Sequence, residues 1–291
     1  MIVNPMLATS GPLPTDQARW AFEPKWDGFR AIVSGDGRRL RVWSRRGTDL
    51  AGRLPELAAL GRALPSGTTL DGELVVFDSQ GRVDFDGMRR RGFGQAAAGR
   101  LVFVAFDVLT IAGTDVMATS WDTRRTMLVD LGVEGAAWCT TPAYPGEGTA
   151  LLEATQAQGI EGVIAKRLDS PYRPGVRTTA WVKTKHFDRA RFDVIGVAPT
   201  PAGRYALLLG WPGVEGPARY AGRVEWGFSR ERFAELIARA TPTDISPPGA
   251  TNPPGVVFFE PGVVANVRYL ANSQLRHATL QSLDFASGEL P

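Results

Sequence analysis

The chain has 291 residues, long enough for two domains with a core each, and a formal net charge of +3, too small to argue for nucleic-acid binding by itself. One cysteine, Cys139, excludes an internal disulfide, and two separated histidines, His186 and His277, exclude zinc spacing. The N-terminus MIVNPMLATSGPLPTD lacks a charged start followed by an apolar run, and no stretch approaches the ~20 apolar residues that span a bilayer. A soluble, cytoplasmic, unprocessed protein with no membrane partner is expected.

Short apolar or alternating runs bounded by Gly and Asp/Asn/Ser predict strands at 30–35, 39–45, 69–78 and 101–109. Helices are predicted at 54–64 (LPELAALGRAL) and 149–159 (TALLEATQAQG), the latter closed by Gly159. This mixture suits an α+β domain of antiparallel sheets with flanking helices. After residue 188 come three strand-like runs, RFDVIGVA, YALLLGW and ARYAGRVEW. A helix follows at 229–241, with Ser229 as N-cap and Phe233, Leu236 and Ile237 on one face, and then strands at 255–260 and 263–270. That is the order of an OB-fold β-barrel, a common nucleic-acid binder, with another small barrel as the alternative. The segment 241–255 reads as a long exposed loop. Two domains are expected, 1–188 and 189–291.

Arginine supplies most of the positive charge and is clustered at 38–39, 45–46 and 89–91, either as solvated surface or as a contact for phosphates. Of 33 Lys plus Arg only four are lysine: Lys25, Lys166, Lys183 and Lys185, confined to EPKWDGFR, EGVIAKR and WVKTKH. Arginine stays protonated, whereas a lysine can lose its proton and act as a nucleophile. In the first string Gly28 allows close approach to Lys25, and Arg30 lies within reach of a phosphate or ribose; a partly exposed lysine before a turn is the alternative. In the third, Lys183 and Lys185 alternate onto one face, where they repel unless an anion such as a triphosphate lies between them. They would also depress the pKa of a further amine brought near them. A lysine-protected strand edge is the other explanation. Glu73 and Glu161, beside Gly72 and Gly162, could hold Mg²⁺ or a ribose hydroxyl, or pair with arginines.

In order, KWDGFR (25–30), SRRG (44–47), DGE (71–73), FD (106–107), EGVIAK (161–166) and WVKTK (181–185) resemble the nucleotidyltransferase motifs of ATP-dependent DNA ligases, nearest to the ligase module of bacterial end-joining enzymes. The resemblance implies that Lys25 attacks the α-phosphate of ATP to form lysyl-AMP. Glu23 would read the adenine amino group and Phe106 would stack on the ring. Glu73 and Arg30 would hold the ribose side, and Lys166, Lys183 and Lys185 would bind phosphates. Glu161, with Glu73, would serve Mg²⁺ or Mn²⁺, and Arg45 would meet the 5′-phosphate of a nick. The first motif lies within 25 residues of the start, so grip on nicked double-stranded DNA is expected from the two domains themselves, through Arg89, Arg90, Arg91 and the barrel. A monomer associated with the nucleoid and with end-joining proteins is implied. An RNA ligase of the same fold and a non-catalytic binding relative are the alternatives. One departure stands at the C-terminus, where LRHATLQSLDF puts Asp284 in place of the arginine of the family's Arg-x-Asp-Lys string, which orients pyrophosphate.

Overall fold

The computed structural model describes residues 3–213, 218–251, 254–271 and 275–285. It divides into two units, Met1–Lys185 and His186–Pro291. The second unit starts slightly ahead of residue 189 because Phe187 already pairs with Leu270 in its sheet.

The first unit holds two sheets. One contains β1 (Leu7–Ser10), β2 (Trp20–Pro24), β9 (Tyr144–Pro145), β10 (Gly162–Arg167) and β11 (Arg177–Lys185), in the order β1-β11-β10-β2-β9. The other contains β3 (Phe29–Gly35), β4 (Leu40–Ser44), β5 (Thr68–Phe77), β6 (Arg100–Ile111), β7 (Thr114–Asp115) and β8 (Trp138–Thr140), in the order β4-β3-β5-β6-β7 with β8 beside β6. Pairing is antiparallel except between β1 and β11 and between β6 and β8. Strands β5 and β6 are buried along most of their length because both faces are covered, so they read as nearly continuous apolar runs. Val33, Leu57, Leu74, Met88, Phe103 and Leu128 belong to the core on one face of this sheet. On its other face Ile32 and Leu109 meet Met6, Tyr172 and Trp181, which links the two sheets. The helix α4 (Gly148–Ala157) packs Leu151 on Phe22, Val163 and Ala165. It ends near Gly159 at φ 69°, as its sequence predicts.

The helix expected at 54–64 is broken. Pro55 keeps Leu54 out of the helical region, at φ −132° and ψ 60°, and only short 3-10 turns and α1 (Leu60–Ala63) form. Two helices carry caps that the strand-centred reading passed over. In α2 (Phe85–Gly92) the Asp84 carboxylate accepts from Gly87 N at 2.9 Å; in α3 (Trp121–Asp130) the Ser120 hydroxyl accepts from Thr123 N at 3.2 Å.

In the second unit β12 (Phe187–Pro199), β13 (Tyr205–Trp211) and β14 (Arg219–Val224) precede α5 (Arg230–Arg239), whose N-cap is Ser229. After it come β15 (Pro242–Thr243), β16 (Val257–Phe259), β17 (Val263–Leu270) and β18 (Thr279–Phe285). The first half of β12 pairs with β17 and the second half with β13. The ring runs β14-β13-β12-β17-β18 and closes through a parallel bridge between Trp226 and Thr279. This is an OB-fold barrel, with Phe192, Leu207, Leu209, Val267 and Leu280 in its core and Leu236 of α5 packed among them. Its last strand is 279–285, and the run expected as the fourth strand, 255–260, instead forms a small hairpin with β15 against β12. Among the described residues no helix is long and apolar enough to cross a membrane.

Candidate active site

One cavity of about 210 Å³ in the first unit is lined by Glu23, Lys25, Arg30, Arg45, Glu73, Phe106, Lys166 and Lys183, with Arg177 and Trp181 beside them. Strand register explains the convergence. Ile164 of β10 stands opposite Glu23 on one side and Lys183 on the other, and Lys166 stands opposite Trp181. Arg30 and Glu73 are cross-strand partners on β3 and β5. Two glycines make the fit possible. A Cβ on Gly28 would strike the Leu74 carbonyl; one on Gly162, at φ 151°, would strike that of Thr184 just where Lys25 N meets Gly162 O at 2.8 Å.

All four lysines of the chain meet here. Lys25 is ion-paired with Glu161, whose other oxygen takes Lys185 at 2.6 Å. Burial disfavours charge on Glu161, but Lys25 and Lys185 outweigh it and hold the carboxyl below its usual range. Lys183 has its pKa lowered by partial burial and then by Lys185, Lys25 and Arg177, the signature of cations gathered without enough anion. Lys166 is different. It is 1% exposed, donates to Glu23 at 2.8 Å and to the Phe106 carbonyl at 2.9 Å, and lies 4.4 Å from the Trp181 ring centre and 4.5 Å from that of Phe106. Its ammonium is committed to the back of the cavity.

Two buried polar atoms in the lining, Glu23 Oε1 and Trp181 Nε1, have no hydrogen-bond partner. Orphaned atoms of this kind are costly unless a ligand meets them. Burial pushes the Glu73 carboxyl up to about 7, against the pull of Lys25 and Arg30. Among the described residues no three His, Cys, Asp or Glu side chains gather as a metal cage. A hard cation that retains waters and shares its sphere with phosphates needs only one or two carboxylates; Glu73 lines the cavity, whereas Glu161 lies outside the lining and would have to exchange a lysine for the cation.

The arginines at 89–91 are not part of this lining. Arg89 and Arg90 are half exposed on α2, near Asp86 and Asp84. Arg91 turns inward to Glu56 and donates to the carbonyls of Ala97 at 3.2 Å and Gly99 at 3.0 Å. Asp284, on β18, accepts from Asn266 Nδ2 at 2.8 Å and lies 3.9 Å from Arg191. Arg177 escaped the sequence reading, although the signal is there: it shares the two-residue alternation of Trp181, Lys183 and Lys185 on β11.

The family model "ATP dependent DNA ligase domain" matches residues 5–185. The multifunctional non-homologous end joining DNA repair protein LigD of Mycobacterium tuberculosis is 39% identical over 278 residues, 91% of this chain and 36% of that protein, so the chain spans about a third of that relative's length. DNA ligase C1 of Mycolicibacterium smegmatis is 34% identical, with 82% of this chain and 73% of that protein covered. A solved structure of mycobacterial DNA ligase D complexed with ATP and MES is 35% identical, covers 98% of this chain and 96% of its own, and gives a TM-score of 0.60. The two units thus have the nucleotidyltransferase and OB-fold architecture of ligase-domain structures. With a family model spanning its whole first unit from Pro5 onward, the chain belongs to the ATP-dependent DNA ligase domain family.

Proposed function

We propose that this chain seals nicks with a 3′-hydroxyl and a 5′-phosphate in double-stranded DNA through a covalent lysyl-AMP intermediate. The observation that carries the reading is the convergence of three of the chain's four lysines, Lys25, Lys166 and Lys183, on one cavity, with the fourth, Lys185, joined to Lys25 through Glu161. Lys25, once deprotonated, attacks the α-phosphorus of ATP: an N–P bond forms, the bridging P–O bond breaks, and pyrophosphate leaves with the electron pair. The DNA 5′-phosphate then attacks the adenylyl phosphorus and frees Lys25, and the 3′-hydroxyl finally displaces AMP. Phosphoryl and nucleotidyl transfers of this type ask the protein for positioning and charge neutralisation.

Glu23 Oε1, unpartnered and buried, accepts from the adenine amino group, and Phe106 supplies the stacking face. Arg30 and Glu73 address the ribose. Lys183, with Lys185 behind it, neutralises the phosphates, and Arg45 at the rim takes the 5′-phosphate of the nick. Lys166 acts at the adenine end through Glu23 and not on the phosphates, because its ammonium has two oxygen partners and aromatic walls. Glu161 and Glu73 would hold Mg²⁺ or Mn²⁺, which supplies charge neutralisation at the transferring phosphoryl group. Exposed Arg89 and Arg90, and a groove on the barrel lined by Arg189, Arg191 and Asn266, suit the DNA backbone. Work in end joining follows by analogy with LigD.

The test is incubation with α-labelled ATP and Mg²⁺. Label should become covalently attached to wild type and absent from Lys25→Ala, and labelled protein should seal a DNA nick faster than a matched RNA nick. Absence of label on wild type would leave only a binding role.

A further inference from the structure

Arg30 lines the nucleotide cavity, yet most of its guanidinium is already committed. Nε and Nη2 donate to the two oxygens of Asp71, a fully buried carboxylate on β5, and Nη2 also meets the Met6 carbonyl at 3.2 Å. Its Cζ lies 4.5 Å from the centre of the Phe106 ring, over the ring. Among the described residues no acceptor meets Nη1. The guanidinium therefore offers the cavity one nitrogen, and the direction of that nitrogen depends on how the other two are held.

Asp71 is held in turn by Tyr172, from the loop between β10 and β11. Tyr172 is 3% exposed and stands outside the cavity lining. Its hydroxyl donates to Asp71 Oδ2 at 2.6 Å and accepts from the Met6 amide at 3.0 Å, while its ring meets Trp181 edge-on at 5.8 Å. An arginine and a carboxylate joined by a fork can still swing as one body. A third bond, from a phenol that is itself anchored to backbone and to an aromatic wall, removes that freedom. Met6 closes the loop, since its amide holds the phenol and its carbonyl holds the arginine. The sequence motifs do not include Tyr172.

We infer that Tyr172 is a positioning residue for the nucleotide sugar: by tying Asp71 to the Met6 backbone it sets the direction in which Arg30 presents its remaining nitrogen to a ribose hydroxyl. The inference rests on the cavity being an ATP site with Arg30 on the ribose side. A group acting through two others should affect recognition of that hydroxyl and leave the chemistry at the α-phosphorus alone.

Tyr172→Phe removes one oxygen and keeps the ring against Trp181. The experiment measures lysyl-AMP formation from ATP, 2′-deoxy-ATP and 3′-deoxy-ATP, with thermal unfolding alongside. Wild type should discriminate against one deoxy analogue about tenfold or more in kcat/KM, because a buried charged donor is then left unmatched. In Tyr172→Phe the KM for ATP should rise about fivefold with kcat nearly unchanged, and that discrimination should shrink to about twofold, since the hydrogen bond to the sugar is already impaired. A purely structural role would lower activity on all three nucleotides by one factor and preserve the ratio. A preserved ratio, an unchanged KM, or a wild type indifferent to both analogues overturns the inference. Should Tyr172→Phe unfold below the assay temperature, the ratio is read in Asp71→Asn, and an unchanged ratio there is equally fatal. Wild type that forms no lysyl-AMP at all would instead refute the ATP-site reading, so the two failures are distinct.

Discussion

Replacing Lys166 by methionine should remove the cation that acts most strongly on the Glu23 carboxyl. The side chains of Lys166 and Glu23 are 1% and 3% exposed, and their charged atoms lie 2.8 Å apart. Methionine has a similar reach and suits the aromatic walls, so the change isolates the charge. Removing one partner of a buried pair costs about 3–5 kcal/mol when the other stays ionised. Burial already pushes the Glu23 carboxyl above 4.5, opposed chiefly by Lys166, so the variant's carboxyl should rise further and take up a proton. A carboxyl with a raised folded pKa contributes stability that is present below its unfolded value of 4.5 and lost as pH rises through the folded value. The loss accrues at up to about 1.4 kcal/mol per pH unit. At pH 8 the variant should therefore be less stable than wild type by about 3 kcal/mol, or roughly 6–12 °C in Tm for a unit of this size, and at pH 5 the gap should be at most half that. A protonated Glu23 can no longer accept fully from adenine, so lysyl-AMP formation should fall about tenfold or more at neutral pH. Thermal unfolding from pH 5 to 8, with ATP loading measured in parallel, checks both. A Tm within about 2 °C of wild type at pH 8, or an equal loss at every pH, would refute the idea that Lys166 holds Glu23 ionised.

Lys25→Arg should abolish covalent AMP as fully as Lys25→Ala, because arginine stays protonated; label retained on the arginine variant would move the nucleophile elsewhere. Alanine at both Arg89 and Arg90 should reduce the log–log salt slope of nick binding by about 0.9 for each phosphate that is no longer neutralised, with lysyl-AMP formation intact. Alanine at Arg91 should instead lower Tm, since its guanidinium ties Glu56 to the Ala97 and Gly99 carbonyls; an unchanged Tm would mean that this bonding is dispensable. Glu73, pushed up to about 7 by burial, favours the folded state below 4.5 and loses that contribution as pH rises through 7. Wild-type Tm should therefore drop between pH 5.5 and 8.5 more steeply than that of Glu73→Gln, and parallel curves would contradict the assignment.

The site was legible where chemistry and periodicity coincide. Lys25, Glu161 and the alternating Lys183 and Lys185 could be found because a reactive cation beside glycine, or two lysines on one strand face, is improbable without an anion nearby. The inward turn of Arg91 was not legible. Three consecutive arginines on a helix point in different directions, and only the tertiary placement of Glu56 and of the 97–99 carbonyls selects the one that faces in. The surroundings of Lys166 were not legible either: its motif fixes the strand position, while its neighbours come from Trp181 across the sheet and Phe106 in the other sheet. Tyr172 was invisible for a similar reason, since its partners Asp71 and Met6 lie 101 and 166 residues away. In the barrel, the last strand was missed because TLQSLDF alternates too weakly to compete with GVVFFE. Closure through Trp226 and Thr279 nonetheless requires a strand there, whereas the stronger run pairs only with two residues of β12 and the two-residue β15.

The scarcity of lysine has a geometric reason at each place where it occurs. In the proposed reaction Lys25 must lose a proton to attack, which arginine cannot do. Lys166 brings an ammonium to 4.4 Å from the Trp181 ring centre and 4.5 Å from that of Phe106 and still reaches a carboxylate and a carbonyl, contacts that a compact point charge can make at once. Glu161 divides its oxygens, Oε2 to Lys25 and Oε1 to Lys185. An arginine in place of Lys185 would tend to take both oxygens in a bidentate pair, as Arg30 does with Asp71, and would leave Lys25 without its partner. Lys183 faces the same cavity among three other cations, and a lysine there can lower its pKa where a permanent charge could only repel. Arginine can fill the other cationic positions because those positions need a fork, a stacking plane or a fixed charge, and of the four that need a point charge or a removable proton three line one cavity and the fourth shares Glu161 with Lys25.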